Sequence, residues 1–470
     1  MKKTKIVTSI GPSSYNPDVF EKMVLAGANV ARINFSHATE EEKQTAVATV
    51  KEVRRRTGYN VGILYDTKGP ELRCGEMENG SIELIEGNTI NIVKDHVLGT
   101  QNQFSVNHPH VIDRLKTGDS ILLENGLMAL EVIEVKRNTA RCIVRIGGTL
   151  GSKKSMSVPG VRLQIPFLSD VDLQDIIYAC QHDGDYLACS FVSTAADIMV
   201  VRSVLAAQGR ADMQVIAKIE SQEGMDNLEA IAQVADGIMV ARGDLGVEVP
   251  MEDLPIYQKR IISACRRHGK ISIVATEMLE SMKHSIRPTR AEVTDVSNAV
   301  FSGTDAVMLS GETTTGEYPV EAVAFMAKIC EHTEESHHYR NKYAKPNPTT
   351  IAEIMCNSVA STANDLGAKA ILVPTVKGVS ARLLSNLEPS CPILALTSDP
   401  RIMRSLTLNY GVYAKLVDAS KSTDEVLTLA LNTAREWIDL QKGDIVITTG
   451  GFHADPQDGQ TNFMKVDVIG

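Results

Sequence analysis

The strongest constraint on this chain is a series of short apolar runs that recur with helical segments between them. Each run is a near-continuous stretch of Val, Ile, Leu and Ala, which is typical of parallel strands buried on both faces. The segments between them have helical periodicity and caps, such as the capping box from Thr289 to Glu292. Eight strand–helix units predict a (β/α)8 TIM barrel, with polar site residues at the carboxyl ends of the strands. The runs are residues 5–10, 28–35, 61–66, 185–191, 214–220, 237–242, 271–276 and 306–310.

The third and fourth runs are separated by far more chain than one helix needs. From about residue 73 to residue 166 the sequence is rich in Gly, Asn and β-branched residues. Residues 81–85 and 89–93 alternate apolar and polar side chains, as half-buried strands do, and residues 124–126 carry a hairpin signal. We interpret this segment as an all-β domain inserted in a loop above the barrel mouth.

A further unit follows the barrel. The polar stretch 331–348, which contains His337 and His338, is predicted to be a solvated linker rather than a metal site. Helix and strand signals then alternate from residue 351 to the end, which indicates a second α/β domain with an open sheet. The predicted domains are residues 1–70 and 167–343 for the barrel, 71–166 for the inserted all-β domain, and 344–470 for the C-terminal α/β domain.

Composition excludes several classes of partner. The 470 residues exceed one ordinary core and favour two or three domains. A formal net charge of −10 argues against nucleic acid or an anionic membrane as the main partner. No apolar run reaches the roughly 18 to 20 residues that span a bilayer, and the start of the chain does not have the pattern of a signal peptide. The eight cysteines include no Cys-x-x-Cys pair, which favours reduced thiols and a cytoplasmic protein.

Charged side chains gather where two of the runs end. Lys218 and Glu220 are two residues apart on one run, so they point to the same face of a strand. The following run leads to Asp244, which is able to meet them from the next strand. A cation beside two carboxylates indicates an electrophilic, metal-assisted site. The alternative for each carboxylate is a helix cap or a solvated loop start.

The second strand, predicted to continue from Ala31 to His37, places Arg32, Asn34 and Ser36 on one face, where their polar groups need partners. A structural hydrogen-bond network is one interpretation. The other is a phosphate-binding arginine beside oxygen ligands for a cation. At the end of the third run, Asp66 and Thr67 supply further hard oxygens, which suit alkali and alkaline-earth ions. At the end of the seventh run, Thr276 offers a hydroxyl at the barrel mouth.

The predicted insert carries a loop with two ammonium groups, Lys153 and Lys154. The chain contains no Gly-x-x-x-x-Gly-Lys-Ser/Thr loop, which argues against a Walker-type kinase.

Seven long motifs resemble those of the pyruvate kinase family. They follow one another in the family's order, from the first strand to the end of the barrel, and the resemblance continues into the C-terminal domain. It implies a barrel with a mobile β lid and an effector domain, a homotetramer, and phosphoenolpyruvate and ADP or ATP as substrates. The motifs are Thr4-Lys-Ile-Val, Arg32-Ile-Asn-Phe-Ser-His37, Asp66-Thr-Lys-Gly-Pro-Glu-Leu-Arg73, Ala217-Lys-Ile-Glu220, Met239-Val-Ala-Arg-Gly-Asp-Leu-Gly-Val-Glu248, Arg287-Pro-Thr-Arg-Ala-Glu292 and Asp305-Ala-Val-Met-Leu-Ser-Gly-Glu312.

The resemblance implies a role for each matched residue. Lys218 matches the catalytic lysine, and Arg32 and Thr276 would act with it on the substrate. Phosphoenolpyruvate would also meet the backbone of Gly243 and Asp244. Mg²⁺ or Mn²⁺ would be held by Glu220 and Asp244, K⁺ by Asn34, Ser36, Asp66 and Thr67, and the nucleotide by Asn34, His37, Arg73 and Lys154.

Two further positions concern ions and regulation. Relatives that share Gly-Pro-Glu, here ending at Glu71, generally need a monovalent cation, whereas relatives with Lys at that position generally do not. In the family's phosphate loop a basic residue stands where this chain has Val379, although Lys377 is near. Thr375, Lys377 and Ser380 therefore predict a phosphorylated effector, without specifying fructose 1,6-bisphosphate.

Other functions share parts of this pattern. A metal-dependent aldolase or lyase acting on pyruvate enolate would keep the carboxylate pair, but it needs no lid lysines and no ADP. A catalytically silent regulatory protein would keep the fold, but the retention of all matched site residues argues against it. For the kinase, the proton donor to the enolate is left open between Lys218 and a water held by Thr276.

Overall fold

The computed structural model describes residues 1–36, 38–336, 348, 350–418, 422–451 and 461–470. His37 and the linker residues His337 and His338 therefore lie outside the described residues. Among the helices that the structure describes, none combines the length and the apolar character needed to cross a membrane.

The chain begins with three strands and two helices in alternation. Helix α2 shows why the local sequence folds this way. Its capping box joins Thr39 to Glu42, and Gly58 ends it in the left-handed conformation. Acidic residues fill its first turn and arginines its last, which complements the helix dipole. The elements are β1 (Lys5–Ser9), α1 (Pro17–Ala26), β2 (Val30–Asn34), α2 (Glu40–Thr57) and β3 (Gly62–Asp66).

An all-β segment follows β3, as predicted. The strands form one six-stranded sheet and one two-stranded sheet around their own apolar core. The predicted hairpin is confirmed, since Glu124 and Asn125 have positive φ angles and Gly126 completes the turn between two antiparallel strands. The strands are β4 (Ser81–Leu84), β5 (Thr89–Val93), β6 (Gln103–Ser105), β7 (Ser120–Leu123), β8 (Met128–Lys136), β9 (Thr139–Ile146), β10 (Gly148–Gly151) and β11 (Met156–Ser157).

The chain then returns to strand–helix alternation and completes the barrel. The predicted capping box from Thr289 to Glu292 is confirmed at the start of α9. The elements are α3 (Asp170–Gln181), β12 (Tyr186–Cys189), α4 (Ala195–Ala207), β13 (Gln214–Ile219), α5 (Gln222–Asp226), α6 (Leu228–Val234), β14 (Gly237–Ala241), α7 (Arg242–Glu248), α8 (Leu254–His268), β15 (Ile271–Ala275), α9 (Arg290–Phe301), β16 (Ala306–Leu309), α10 (Gly311–Thr314) and α11 (Pro319–Glu335).

Eight parallel strands close into one barrel in the order β1-β16-β15-β14-β13-β12-β3-β2. This confirms the predicted (β/α)8 architecture. Alternate residues of each strand point into the barrel, so Ile216, Met239 and Ile273 pack in its interior while their neighbours pack against the helices. The strands are parallel, so their carboxyl ends meet at one mouth.

The C-terminal segment is a second α/β domain with an open sheet, as predicted. Its five strands lie in the order β19-β18-β17-β20-β21, and all pairs are parallel except the edge pair β20–β21. The elements are α12 (Ile351–Leu366), β17 (Ala370–Pro374), α13 (Val379–Ser385), β18 (Ile393–Thr397), α14 (Pro400–Ser405), β19 (Val412–Leu416), α15 (Thr423–Trp437), β20 (Ile445–Gly450) and β21 (Phe463–Val468).

This domain closes the floor of the barrel, at the amino ends of the strands. Leu408 packs with the side chains of the barrel interior. The backbone amide of Leu408 donates to the hydroxyl of Tyr186, 3.1 Å away. Arg404 donates to the buried carboxylate of Asp185 at 2.8 Å. The barrel mouth therefore stays open for a site while the floor is occupied by the C-terminal domain.

Candidate active site

Four charged side chains from neighbouring strands meet at the barrel mouth. Arg32 comes from β2, Asp66 from the end of β3, Lys218 from β13, and Glu220 follows β13 directly. All four are buried, with Asp66 and Glu220 completely removed from solvent. Buried charges need partners, so their mutual contacts determine what the site is able to bind.

Asp66 holds the two cations together. Its Oδ2 accepts a hydrogen bond from Arg32 Nε at 2.6 Å, and its Oδ1 lies 3.1 Å from Lys218 Nζ. Arg32 also donates to the hydroxyl of Ser9 at 2.8 Å, which fixes the guanidinium from the other side. Burial alone would raise the pKa of Asp66, but the charges of Lys218 and Arg32 outweigh it and hold that pKa below its usual value.

Lys218 lies between two carboxylates. Its Nζ donates to the hydroxyl of Ser190 at 2.7 Å, and it lies 3.0 Å from Glu220 Oε1 as well as close to Asp66. Burial would lower the pKa of Lys218, but Asp66 and Glu220 raise it above the ordinary value. Lys218 is therefore a fixed positive charge rather than a neutral base.

The charge of Lys218 only partly compensates the buried carboxylate of Glu220. Its Oε2 accepts the backbone N–H of Phe191 at 2.7 Å, whereas its buried Oε1 accepts no hydrogen bond of normal geometry. Burial raises the pKa of Glu220 to about 8, and repulsion from Asp244 adds to this despite the attraction of Lys218. A further cation beside Oε1 would offset both effects.

Asp244 lies on α7, the short helix that begins directly after β14, and is exposed at the mouth. It is near enough to raise the pKa values of both Lys218 and Glu220. Within the described residues there is no cluster of three or more His, Cys, Asp or Glu side chains arranged to hold a metal. A divalent ion bound by Glu220 and Asp244 would need further ligands from a substrate or from water.

The predicted oxygen ligands for a monovalent ion converge at the ends of β2 and β3. Asn34 and Asp66 are direct neighbours in the parallel register. Thr67 follows, with its hydroxyl accepting the backbone N–H of Ser190 at 3.2 Å. The prediction that Ser36 lies on the strand was wrong. Asn34 Oδ1 accepts the backbone N–H of Ser36 at 3.0 Å, and this local turn ends β2 at Asn34.

Thr276 has a strained backbone held by hydrogen bonds. Both Thr276 and Glu277 have positive φ angles, which is unusual for a β-branched residue such as threonine. The guanidinium of Arg242 donates to the carbonyl oxygen of Thr276 and pairs with Asp295 at 2.6 Å. The backbone N–H of Gly243 donates to the Thr276 hydroxyl at 2.8 Å. Gly243, the start of α7 and Thr276 therefore form one rigid rim of the mouth.

The predicted nucleotide residues of the insert have partners within the insert. Arg73 pairs with Glu71 and donates to the carbonyl oxygen of Lys153 at 2.9 Å. Lys154 pairs with Glu124. These contacts do not join the strand-end cluster.

The insert does meet the rim of the mouth. Ser157 donates to Glu248 at the end of α7, and Arg162 lies 3.5 Å from Glu223.

Two residues that contact the cluster, Ser190 and Ser9, were not predicted from the sequence. Ser190 lies within the fourth apolar run, and its position just after β12 was the only signal. The Ser190 hydroxyl also donates to the carbonyl oxygen of Thr67 at 2.7 Å. Ser190 therefore links Lys218 to Thr67, one of the predicted oxygen ligands of the monovalent ion. For Ser9 too, the only signal in the sequence was its position at the end of a strand, here β1.

Two of the predicted effector residues, Thr375 and Lys377, lie in the loop between β17 and α13, and Ser380 lies in the first turn of α13. The hydroxyl of Thr375 accepts the backbone N–H of Gly378 at 2.9 Å, which closes the loop. Ser380 is buried, with its hydroxyl 2.6 Å from that of Thr461. Lys377 is exposed.

Comparison with known proteins agrees with this geometry. The family model "Pyruvate kinase, barrel domain" matches residues 1–323, and the model "Pyruvate kinase, alpha/beta domain" matches residues 353–467. A pyruvate kinase of Geobacillus stearothermophilus is 44% identical over the whole chain, which covers 80% of that protein. One from Clostridium perfringens is 39% identical, with both proteins covered in full.

A solved structure of a pyruvate kinase has the same fold as this chain. The crystal structure of a pyruvate kinase from Cryptosporidium parvum superposes with a TM-score of 0.95 at 36% identity, and covers 100% of this chain and 96% of that one. The fold, both family models and full-length relatives therefore agree, and the chain belongs to the pyruvate kinase family.

Proposed function

We propose that this chain transfers the phosphoryl group of phosphoenolpyruvate to ADP and so forms pyruvate and ATP, in the last step of glycolysis. Members of the family are phosphotransferases with these substrates and are generally metal-dependent. The observation that carries the proposal is the buried ammonium of Lys218, held between Asp66 and Glu220 at the barrel mouth.

In this proposal the two cations bind the phosphoryl group. Arg32 and Lys218 share the carboxylate of Asp66, so both are fixed in position before the substrate arrives. Fixed positive charges in a site without water stabilise a phosphoryl group in flight and the enolate left behind. Asp66 therefore has a positioning role for the cations in addition to its proposed role as an ion ligand.

The residues present fit a divalent ion, which we propose to be Mg²⁺ or Mn²⁺. The carboxylate of Glu220, whose Oε1 forms an ion pair with Lys218 but accepts no hydrogen bond of normal geometry, and the exposed carboxylate of Asp244 would hold it. When bound, the ion would neutralise negative charge on substrate and phosphoryl oxygens. Substrate oxygens would complete its ligands and would also meet the backbone of Gly243 and Asp244.

We further propose K⁺ at the group formed by Asn34, Ser36, Asp66 and Thr67. Carboxylate, amide, hydroxyl and carbonyl oxygens are the ligands that hard cations prefer. The ion would add positive charge beside Arg32 and Lys218.

After transfer the enolate carbon takes up a proton. Lys218 is one candidate donor, since its ammonium form is favoured. The other is a water held by Thr276, whose hydroxyl is itself fixed by Gly243 and by the carbonyl oxygen of Ala275.

The inserted domain, as a lid, would exclude bulk water from the closed site. Water would otherwise take the phosphoryl group. His37, Arg73 and Lys154 are proposed to contact the nucleotide, together with Asn34.

The test is an assay of pyruvate formation from phosphoenolpyruvate with Mg²⁺ and K⁺, run with and without ADP. We expect pyruvate only when ADP is present, with one ATP formed per pyruvate. Pyruvate formed without ADP would indicate a lyase or phosphatase. The absence of pyruvate in both arms, from a folded protein, would indicate a regulatory protein that keeps the fold.

We predict a strong dependence on K⁺, which rests on Glu71. The Glu71 carboxylate forms an ion pair with Arg73. Position 71 therefore supplies no positive side chain that could take the place of the ion at the proposed K⁺ site. An ammonium there would replace the positive charge of the ion. Activity should nearly vanish in buffer free of Na⁺ and K⁺ and return on addition of K⁺, and Glu71→Lys should lose much of this dependence.

The control for that experiment is Glu71→Gln. It removes the pairing with Arg73 without adding a positive charge, and it should keep the K⁺ requirement. Full activity of the unmodified protein with tetramethylammonium as the only monovalent cation would contradict the proposed K⁺ site.

We propose that Thr375, Lys377 and Ser380 bind a phosphorylated effector. Val379, which is 40% exposed, offers no charge where the family has a basic residue. We therefore expect weak activation by fructose 1,6-bisphosphate and stronger activation by another phosphorylated compound. Rates should be compared with sugar phosphates and nucleoside monophosphates. Strong activation by fructose 1,6-bisphosphate that Ser380→Ala abolishes would contradict the expectation.

We also propose that the chain forms a homotetramer and acts in the cytoplasm. Exposed apolar side chains on α12 and on the edge strand β21 support association, among them Ile351 at 61% and Val468 at 67% exposure. All eight cysteines are free thiols, as expected for a reducing compartment. Sedimentation equilibrium measures the oligomeric state directly.

A further inference from the structure

A cavity of about 280 Å³ lies beneath the barrel, on the side opposite to the active site. We call it the floor cavity. Its wall is formed by residues at the amino ends of β13, β14 and β15 and by two residues of the C-terminal domain. The charged and amide side chains of this wall include Arg202, Gln214, Asp236, Lys270, Arg382 and Asn409.

Positive charge in the floor cavity exceeds negative charge. Asp236 is paired with Arg202 at 2.9 Å, and Asp212 is paired with Arg210 at 3.1 Å, so each lining carboxylate already has its own arginine. Lys270 and Arg382 form no ion pair within the part of the chain that the structure describes. Two cations of the wall therefore lack a directly paired carboxylate, although Asp236 lies near enough to act on both.

The partners of these two cations are neutral. Lys270 Nζ donates to the carbonyl oxygens of Ala235 at 2.7 Å and Gln233 at 3.2 Å. Arg382 donates to the carbonyl oxygen of Lys377 and to the hydroxyl of Ser405, both at 2.8 Å. Burial lowers the pKa values of both side chains, and the nearby carboxylate of Asp236 offsets only part of this effect.

The wall also contains polar atoms without a partner. Arg382 Nε, Gln214 Oε1 and Asn409 Oδ1 are all buried with no hydrogen bond. Unpaired buried polar groups are rare in folded proteins and require an explanation. Gln214 Oε1 and Asn409 Oδ1 are hydrogen-bond acceptors that lack a donor. The volume is several times the roughly 30 Å³ that one water occupies, so it admits a small organic molecule.

We propose that the floor cavity binds a phosphate-type dianion, free or as a small monoester, between Lys270 and Arg382. Such an ion would pair with the two cations that form no ion pair, and the hydroxyls of a monoester would donate to the two amide oxygens. This cavity adjoins the proposed effector site, because Ser380 and Arg382 lie on the same helix and Arg382 donates to the carbonyl oxygen of Lys377.

Occupation of the floor cavity would act on the junction between the barrel and the C-terminal domain. Gln214 Nε2 donates to the carbonyl oxygen of Ser405 across this junction at 3.1 Å. Gln214 also lies on the same face of β13 as Lys218, four residues away, which is about 13 Å along a strand. A bound dianion would therefore join the domains at the base of the strand that carries Lys218.

The first test is calorimetric titration of the full-length protein with inorganic phosphate and, separately, with glycerol 3-phosphate. Lys270→Gln and Arg382→Gln should each weaken one class of sites by roughly tenfold. Two control variants should leave the affinity of these sites unchanged. They are Ser380→Ala, at the proposed effector site, and Lys442→Gln, at an exposed position. Tighter binding of glycerol 3-phosphate than of phosphate assigns the ligand as a monoester, and equal binding assigns free phosphate. Unchanged stoichiometry and affinity in both folded cavity variants would overturn the proposal.

The second test does not depend on the folding of any variant. Crystals of the unmodified protein are soaked in tungstate, which replaces phosphate and gives an anomalous signal. We expect a peak between the Lys270 ammonium and the Arg382 guanidinium. Peaks confined to the active site and the effector loop, with only water in the floor cavity, would overturn the proposal.

Discussion

Lys218→Ala is expected to lower turnover by roughly two to four orders of magnitude while the protein remains folded. The ammonium of Lys218 contacts Ser190, Asp66 and Glu220 and is the fixed positive charge nearest to the proposed metal ligands. Its removal leaves the phosphoryl group and the enolate with Arg32 as the only remaining side-chain cation of the cluster. Steady-state rates with saturating phosphoenolpyruvate and ADP measure the loss.

The matched control is Lys5→Ala. Lys5 is also a buried lysine, but it lies at the amino end of β1, where its ammonium donates to the carbonyl oxygen of Val412. This variant should lower thermal stability without changing the turnover of the folded protein. Circular dichroism melting of both variants separates loss of structure from loss of catalysis. Near-normal turnover of Lys218→Ala would show that another group supplies the essential charge.

Substitution of the two proposed metal ligands should weaken metal binding and activity together. In Glu220→Gln the side-chain carbonyl is still able to accept the N–H of Phe191, so the local structure should persist while the negative charge is lost. Asp244→Asn removes the second charge from an exposed position. We expect the half-saturating Mg²⁺ concentration to rise by roughly tenfold or more in each variant, because each replaces a charged ligand.

Two measurements make this result specific. Titration of rate against Mg²⁺ gives the kinetic effect, and electron paramagnetic resonance with Mn²⁺ gives binding without turnover. Glu252→Gln, at an exposed carboxylate outside the mouth, serves as the control. Half-saturation that is unchanged in both Glu220→Gln and Asp244→Asn would mean that these carboxylates have a structural role only.

The barrel was predictable because each of its units is encoded locally. A buried parallel strand needs a continuous apolar run, and a helix needs a cap, as between Thr289 and Glu292. The closed strand order then follows from the repetition of these units. The meeting of Lys218 with Glu220 was predictable for the same reason, since a strand places residues two apart on one face.

The remaining parts of the site depend on contacts between distant segments. Ser190 was missed because its hydroxyl becomes important only when β12 is placed beside β3 and β13. Arg242 was not singled out because its partner Asp295 is 53 residues away in the chain. Ser36 was misplaced because the side chain of Asn34 ends the strand with a local hydrogen bond, which strand propensity does not capture.

The packing of Leu408 into the barrel has a consequence for biosynthesis. Protein synthesis proceeds from the amino terminus, so all eight barrel strands leave the ribosome before residue 408 does. Until then the hydroxyl of Tyr186 and the interior side chains at the amino ends of the strands lack their final cover. A nascent barrel therefore exposes apolar surface for the time needed to translate about a hundred further residues, and a chain that stalls in that interval is expected to aggregate.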